Sequence, residues 1–184
     1  MFKKYWKFFV IFWSVVLVGI IGVFVFFWLI SAGKLGFMPT FEELENPNNR
    51  FASEVYFADG PIMNRYFEKE NRKYIEYREI PQSVIDALIA TEDVRFYDHS
   101  GVDVRGLFRV AKGLLTANTS AGGGSTISQQ LAKMLFPRES DLNVFELAIR
   151  KFREWVIAVR LEKSYTKEEI LTMYLNKYDF LNLA

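Results

Sequence analysis

The stretch TEDVRFYDHSGVD, Thr91 to Asp103, sets carboxylates, an arginine, two aromatics and the chain's one histidine between two apolar patterns. Before it, Pro81 suits a first helical turn, and Val84, Ile85, Leu88 and Ile89 follow as one apolar stripe. After it, Val104, Leu107, Phe108, Ala111, Leu114 and Leu115 recur at helical spacing, with Arg105, Arg109 and Lys112 on the opposite side. A polar loop joining two amphipathic helices makes the domain mainly α.

The pattern continues outward in both directions. Downstream, Ala121-Gly122-Gly123-Gly124 breaks the chain, and Ser125 or Thr126 caps a helix carrying Ile127, Leu131 and Leu135. Asp141 is placed to cap a long helix through Phe145, Ala148, Phe152, Trp155 and Val159. Thr166-Lys167-Glu168-Glu169 fits a capping box that opens a last helix with Ile170 and Tyr174. Upstream, Ser53 to Tyr77 reads as extended, with a turn signal at Ala58-Asp59-Gly60-Pro61, so a small β-hairpin is expected. No internal repeat or low-complexity tract is present.

The chain has 184 residues, 51% hydrophobic and 17% aromatic, with net charge +1 and no cysteine. That charge gives no ground for nucleic-acid binding. The missing cysteines exclude disulfides, thiolate metal sites and a cysteine nucleophile. The apolar excess collects in FFVIFWSVVLVGIIGVFVFFWLI, Phe8 to Ile30, which holds no charge. At ~1.5 Å per residue this run crosses the ~30 Å hydrocarbon layer of a bilayer. Lys3, Lys4 and Lys7 precede it and only Lys34 follows closely, which puts Met1 in the cytoplasm and the rest outside. Trp6 and Trp28 sit where interfacial anchors belong. A cleaved signal peptide has a shorter apolar core of ~7–15 residues, and Ser31-Ala32-Gly33 is a weak cleavage site. The expected organisation is a cytoplasmic tail over 1–7, a transmembrane helix over 8–30, a linker with the hairpin over 31–80 and an α-helical domain over 81–184. No polar tail precedes Ala184, so that domain is expected to be incomplete.

Three clusters carry chemistry. Glu92 closes the helix before the loop, where the helix dipole is negative and Asp93 adds a like charge; both favour proton uptake by its carboxylate, as a general base for a sugar hydroxyl requires. The bland alternative is a pair of solvated loop acids. His99 beside a glycine turn reads as a tie for loop backbone, Phe96 as core, and Asp103 as the cap of the next helix. Second, the glycines before Ile127 leave backbone N–H groups at a helix start, which suits an anion such as phosphate or simply a flexible connection. No Gly-Lys-Ser/Thr follows at P-loop spacing. Third, Glu154 shares a helix face with Lys151 and Arg150. That is either a surface ion-pair cluster or a carboxylate among cations suited to a pyrophosphate leaving group.

Taken together these residues resemble the peptidoglycan glycosyltransferases, the transglycosylase domain of class A penicillin-binding proteins and their monofunctional relatives. Glu92-Asp93, Phe96, His99, Gly101 and Asp103 match the first motif of that family. GGSTISQQLAK, Gly123 to Lys133, matches the second, with Ser128 where threonine is commoner, and Met134 follows where asparagine is frequent. Arg150-Lys151-Phe152-Arg153-Glu154 matches the third, and Ile170-Leu171 with Tyr174-Leu175-Asn176 the fourth. The resemblance implies a lysozyme-like α-helical fold with a membrane-dipping jaw, at the outer face of the bacterial inner membrane. It implies polymerisation of lipid II into glycan strands with release of undecaprenyl pyrophosphate. Glu92 and Glu154 would be catalytic, the first as general base. Asp93, Phe96, His99, Thr126, Gln130, Lys133, Arg150 and Lys151 would hold substrate. No organic cofactor is implied; a divalent metal, Mg or Mn, is. The implied partners are lipid II, the growing strand, membrane lipid and other cell-wall synthesis proteins.

Two other functions use the same residues. A lysozyme-like glycoside hydrolase also needs two carboxylates, although Lys133, Arg150 and Lys151 suit a charged leaving group better than a neutral sugar. A membrane-tethered cell-wall scaffold would keep the fold without turnover.

Overall fold

The computed structural model describes residues 2–40, 43–44, 53–66, 73–116, 123–136 and 143–178. Among them are the helices α1 (Phe2–Ser31), α2 (Gln82–Glu92), α3 (Val104–Leu115), α4 (Ile127–Leu135), α5 (Val144–Ser164) and α6 (Lys167–Lys177). The strands are β1 (Ser53–Tyr56) and β2 (Ile62–Tyr66), and short 3-10 turns stand at Tyr77–Glu79 and Phe96–Asp98. The protein is thus mainly helical, with one small antiparallel sheet. It divides into two compact units, and the boundary falls inside α5, between Val156 and Ile157.

The first unit joins α1 to the first part of α5. The apolar stretch of α1, Tyr5–Ser31, is 27 residues long with a mean hydropathy of 2.8, long enough to cross a membrane. The helix starts earlier than the apolar run because lysine is a good helix former, so the basic turn joins it. Gly33, at φ +70°, ends it in a Schellman pair: Lys34 N–H donates to Leu29 O at 3.0 Å and Gly33 N–H to Ile30 O at 2.9 Å. Phe152 of α5 packs edge-on to Phe26, Phe27 and Trp155, with centroids 5.3, 5.7 and 5.1 Å away. Asn143 caps α5, trading hydrogen bonds with Glu146, whose N–H reaches Asn143 Oδ1 at 3.0 Å. The expected cap, Asp141, lies outside the described residues, as does Gly122.

The second unit holds everything else. In the hairpin, Ser53 pairs with Tyr66 and Val55 with Asn64. Gly60, at φ +106°, closes the turn through its N–H to Phe57 O at 3.0 Å. Ile85, Phe96, Ile127, Leu131, Ile157, Leu161, Ile170, Leu171 and Tyr174 are all buried, and α4 packs against α6 at the centre of this core. The caps of α3, α4 and α6 fall where the sequence puts them. Gly106 N–H donates to Asp103 Oδ1 at 3.0 Å, Gln129 N–H to Thr126 Oγ1 at 3.2 Å, and Thr166 forms a capping box with Glu169. Pro81 stands at the N-cap of α2, one place before the helix.

Two apolar stripes differ from expectation. On α2 only Ile85 is buried, and Val84, one residue off the inward row, is exposed. On α3 Val104, Phe108 and Leu115 of the stripe are exposed, Phe108 by 73% and Leu115 by 89%, and Leu107 is half-buried. Its inward face is small, with Gly106 and Gly113 buried and Val110 half-buried. Periodicity finds an apolar face but not the direction in which the fold turns it.

Gly101 fixes how closely the loop after α2 approaches α5. It sits at φ +96°, and a Cβ there would lie 2.8 Å from the Ala158 carbonyl and from Val159 N. Gly60 has a similar φ but open space around it. Gly101→Ala is therefore expected to destabilise the protein by roughly 2–5 kcal/mol, combining backbone strain with overpacking. Gly60→Ala, which adds strain alone, should cost about 1–2 kcal/mol. Thermal unfolding of both variants in detergent checks the ranking.

Candidate active site

Glu92 is the last residue of α2, and the chain turns sharply at Asp93 (φ −156°, ψ 72°). That turn sends the neighbouring carboxylates apart: Glu92 is exposed, Asp93 buried. His99 Nδ1 accepts the Gly101 N–H at 3.2 Å, which assigns the ring proton to Nε2; Nε2 faces Asp93 Oδ2 at 3.0 Å. Asp93 Oδ2 also accepts the Ile127 N–H at 3.0 Å. The anion at the start of α4 is thus the protein's own Asp93 carboxylate, in place of the phosphate suggested by the glycine-rich sequence.

The rest of the first two motifs ties the loop to the core. Thr126 Oγ1 donates to Gly101 O at 2.7 Å and Gln129 Nε2 to the same oxygen at 3.2 Å. Phe96 is completely buried, and Lys167 Nζ lies 4.2 Å above its ring. Lys167 also donates to His99 O and to Glu162 Oε1, each at 2.8 Å, while Ser128 Oγ donates to Glu162. Sequence reasoning gave Lys167 and Glu162 no such role, because only the fold brings them beneath the loop.

Glu92 opens onto a cavity of about 250 Å³, whose wall includes Arg109, Gly124, Ser125, Thr126 and Gln130. Gln130 Nε2 donates to Glu92 Oε2 at 2.7 Å, and the Tyr174 hydroxyl donates to Gln130 Oε1 at 2.9 Å. Glu92 Oε1 has no hydrogen-bond partner among the described residues. Lys133 is exposed one turn beyond Gln130 on the same side of α4. Arg109, which donates to Gly123 O at 3.4 Å, is a cation of the cavity wall absent from the expected site. Its signal was its place on the small-residue face of α3, in register with Gly106 and Gly113. The third cluster belongs to the first unit: Lys151 Nζ pairs with Glu154 Oε2 at 2.9 Å, Glu154 is largely sheltered, and Arg150 is half-buried.

Arg95 and Asp103 form an ion pair on the cavity wall. Burial alone would raise the Asp103 carboxyl, but the Arg95 guanidinium and the Gly106 N–H outweigh it, so its pKa falls below the ordinary 3.8. No three His, Asp or Glu side chains converge to hold a metal among the described residues.

A transglycosylase family model matches residues 59–183. Penicillin-binding protein 1A of Escherichia coli (strain K12) is 39% identical over 140 residues, covering 76% of this chain and 16% of that protein. Penicillin-binding protein 1A of Haemophilus influenzae is 39% identical over 149 residues, covering 81% and 16%. That of Vibrio cholerae is 33% identical over 162 residues, covering 88% and 18%. The chain therefore spans less than a fifth of the length of these relatives.

Two outcomes test this geometry. Asp93→Ala and His99→Ala should each destabilise by about 1–3 kcal/mol, since each strands a buried polar partner. The double variant should lose less than the sum, a coupling that thermal unfolding of all four proteins measures. For Asp103 the depressed folded pKa means that its ionised form stabilises the fold in full above about pH 4, and that this is lost as pH falls further. Asp103→Asn should accordingly be less stable than the parent at pH 6, with a gap that narrows below pH 4 in pH-dependent melting curves.

Proposed function

This chain belongs to the transglycosylase family, and from that membership we propose that it polymerises lipid II into glycan strands at the outer face of the bacterial inner membrane. The observation that carries the reading is Glu92: a carboxylate at the end of a helix, facing a cavity, with Oε2 held by Gln130 and Oε1 unbonded among the described residues. A general base needs this combination of fixed position and one available oxygen.

In the proposed reaction the acceptor's 4-hydroxyl enters the cavity and gives its proton to Glu92 as its oxygen attacks the anomeric carbon of the growing strand. The bond from that carbon to the undecaprenyl pyrophosphate breaks, the configuration inverts, and the pyrophosphate leaves with the bonding pair. Positive side chains stabilise charge that develops on a leaving group. Lys133, Arg150 and Lys151 are the proposed cations, with Glu154 the second catalytic carboxylate beside Lys151. Asp93, His99, Phe96 and Thr126 serve by holding the wall from within. Among the described residues no cluster of three acidic or histidine side chains is present to cage the implied Mg or Mn ion, and no step is routed through it.

The lipid tails of both substrates require the site to stand beside a bilayer. Supporting that placement, α1 is long and apolar enough to span one, and Lys3, Lys4 and Lys7 orient its start to the cytoplasm. The outward face of α3, with Val104, Phe108 and Leu115, is proposed to dip into the outer leaflet. Other cell-wall synthesis proteins are the proposed partners of the chain.

Glu92→Gln keeps the shape and removes the base. Lipid II polymerisation by the membrane-inserted protein should fall at least about 100-fold in this variant, the usual range for losing a general base. An undiminished rate overturns the assignment. Polymeric glycan cut to short products, with no strands made from lipid II, would mark a hydrolase instead.

A further inference from the structure

Tyr174 of α6, Gln130 of α4 and Glu92 at the end of α2 form one directed hydrogen-bond chain that ends on the exposed carboxylate. A glutamine amide has two ends of like shape and opposite chemistry. Turned one way, Gln130 offers N–H to Glu92. Turned the other way, it sets a carbonyl oxygen against an anion. Gln130 is only half-buried, so packing alone does not choose between the two.

Tyr174 makes the choice. Its side chain is 1% exposed, and its ring stacks on Tyr178 with centroids 5.2 Å apart. Burial first, and then the Glu92 charge, raise the phenol above its ordinary 10.0, so the hydroxyl keeps its proton at neutral pH. A buried hydroxyl proton needs an acceptor. Gln130 Oε1 is the acceptor it has, and satisfying it turns the Gln130 NH₂ group to Glu92.

We propose that Tyr174 is a positioning residue for the base: it locks the Gln130 amide, which holds Glu92 Oε2 and leaves Oε1 to take the acceptor's proton. This rests on Glu92 being the base, as proposed above. A tyrosine that merely packs α6 against α4 would affect stability without acting through Gln130.

The test uses Tyr174→Phe, which keeps the ring and its stacking, with Gln130→Ala and the double variant, all as full membrane proteins in detergent. The first measurement is solvent exchange of the Gln130 side-chain amide, followed by ¹⁵N-resolved NMR. Tyr174→Phe should speed it about fivefold, the scale of one neutral hydrogen bond. Unchanged exchange overturns the proposal. The second is lipid II polymerisation. Tyr174→Phe should lower kcat about tenfold with KM unchanged. In the Gln130→Ala background the same change should have no further effect. Additive losses mean that Tyr174 does not act through Gln130, and they overturn the proposal. Should Tyr174→Phe fail to fold, Gln130→Ala alone decides: parent-like kcat overturns the lock, and a fall of about tenfold or more supports it. Amide exchange needs no turnover, so the lock is judged separately from the activity. A full-rate Glu92→Gln protein refutes the base assignment and the catalytic part of this inference together.

Discussion

The buried Asp93 carboxylate, held between His99 Nε2 and the Ile127 amide, is the contact on which the loop after α2 depends. An isolated charge in a protein interior costs several kcal/mol unless hydrogen bonds replace its water. Asp93 has both a ring N–H and the positive end of α4. Because it is anchored inward, and the chain turns at that residue, the preceding carboxylate is directed out. The exposure of Glu92 is thus a consequence of the burial of its neighbour. His99 is held in turn by Gly101, and Gly101 can lie against α5 only because it has no side chain.

A second polar group supports the loop from below. Lys167 is the first residue of α6, where the helix dipole disfavours a cation. Glu162, the His99 carbonyl and the face of Phe96 compensate for that position. Ser128 completes the group by donating to Glu162. Buried ion pairs of this kind add little net stability, since desolvation offsets much of the attraction. What this one does is join the loop, α4, α5 and α6 at defined atoms. Asn176 does the same at the other end of α6, accepting the Ile75 N–H at 3.0 Å and donating to Ile75 O at 2.9 Å. The fourth motif therefore serves two ends of the site: Asn176 steadies the segment that leads into α2, and Tyr174 reaches Gln130.

The two faces of α3 divide the labour of the cavity wall. Gly124 comes close to Val110 on the inner face because it has no side chain: a Cβ there would lie 3.2 Å from Val110 Cγ2. Arg109 sits on the same side and so joins the wall. Val104, Phe108 and Leu115 are left outside, the reverse of a core helix. Exposed apolar faces of this kind mark surfaces that bind an apolar partner.

Much of this was legible in the chain itself. An uncharged apolar run long enough for a bilayer, caps at Asp103, Thr126 and Thr166, and a hairpin turn at Gly60 are local matters, settled by side chains within a few residues of one another. The four motifs and their order likewise identify the family without coordinates. What the tertiary structure decided were the choices that local rules leave degenerate. Asp93 and Glu92 are adjacent and alike in chemistry, and only the contact of Asp93 with Ile127, far along the chain, sends one in and the other out. The stripe on α3 has the right period, but period carries no direction. Lys167, Glu162, Arg109 and Tyr174 gain their roles from partners that folding alone brings within hydrogen-bond reach.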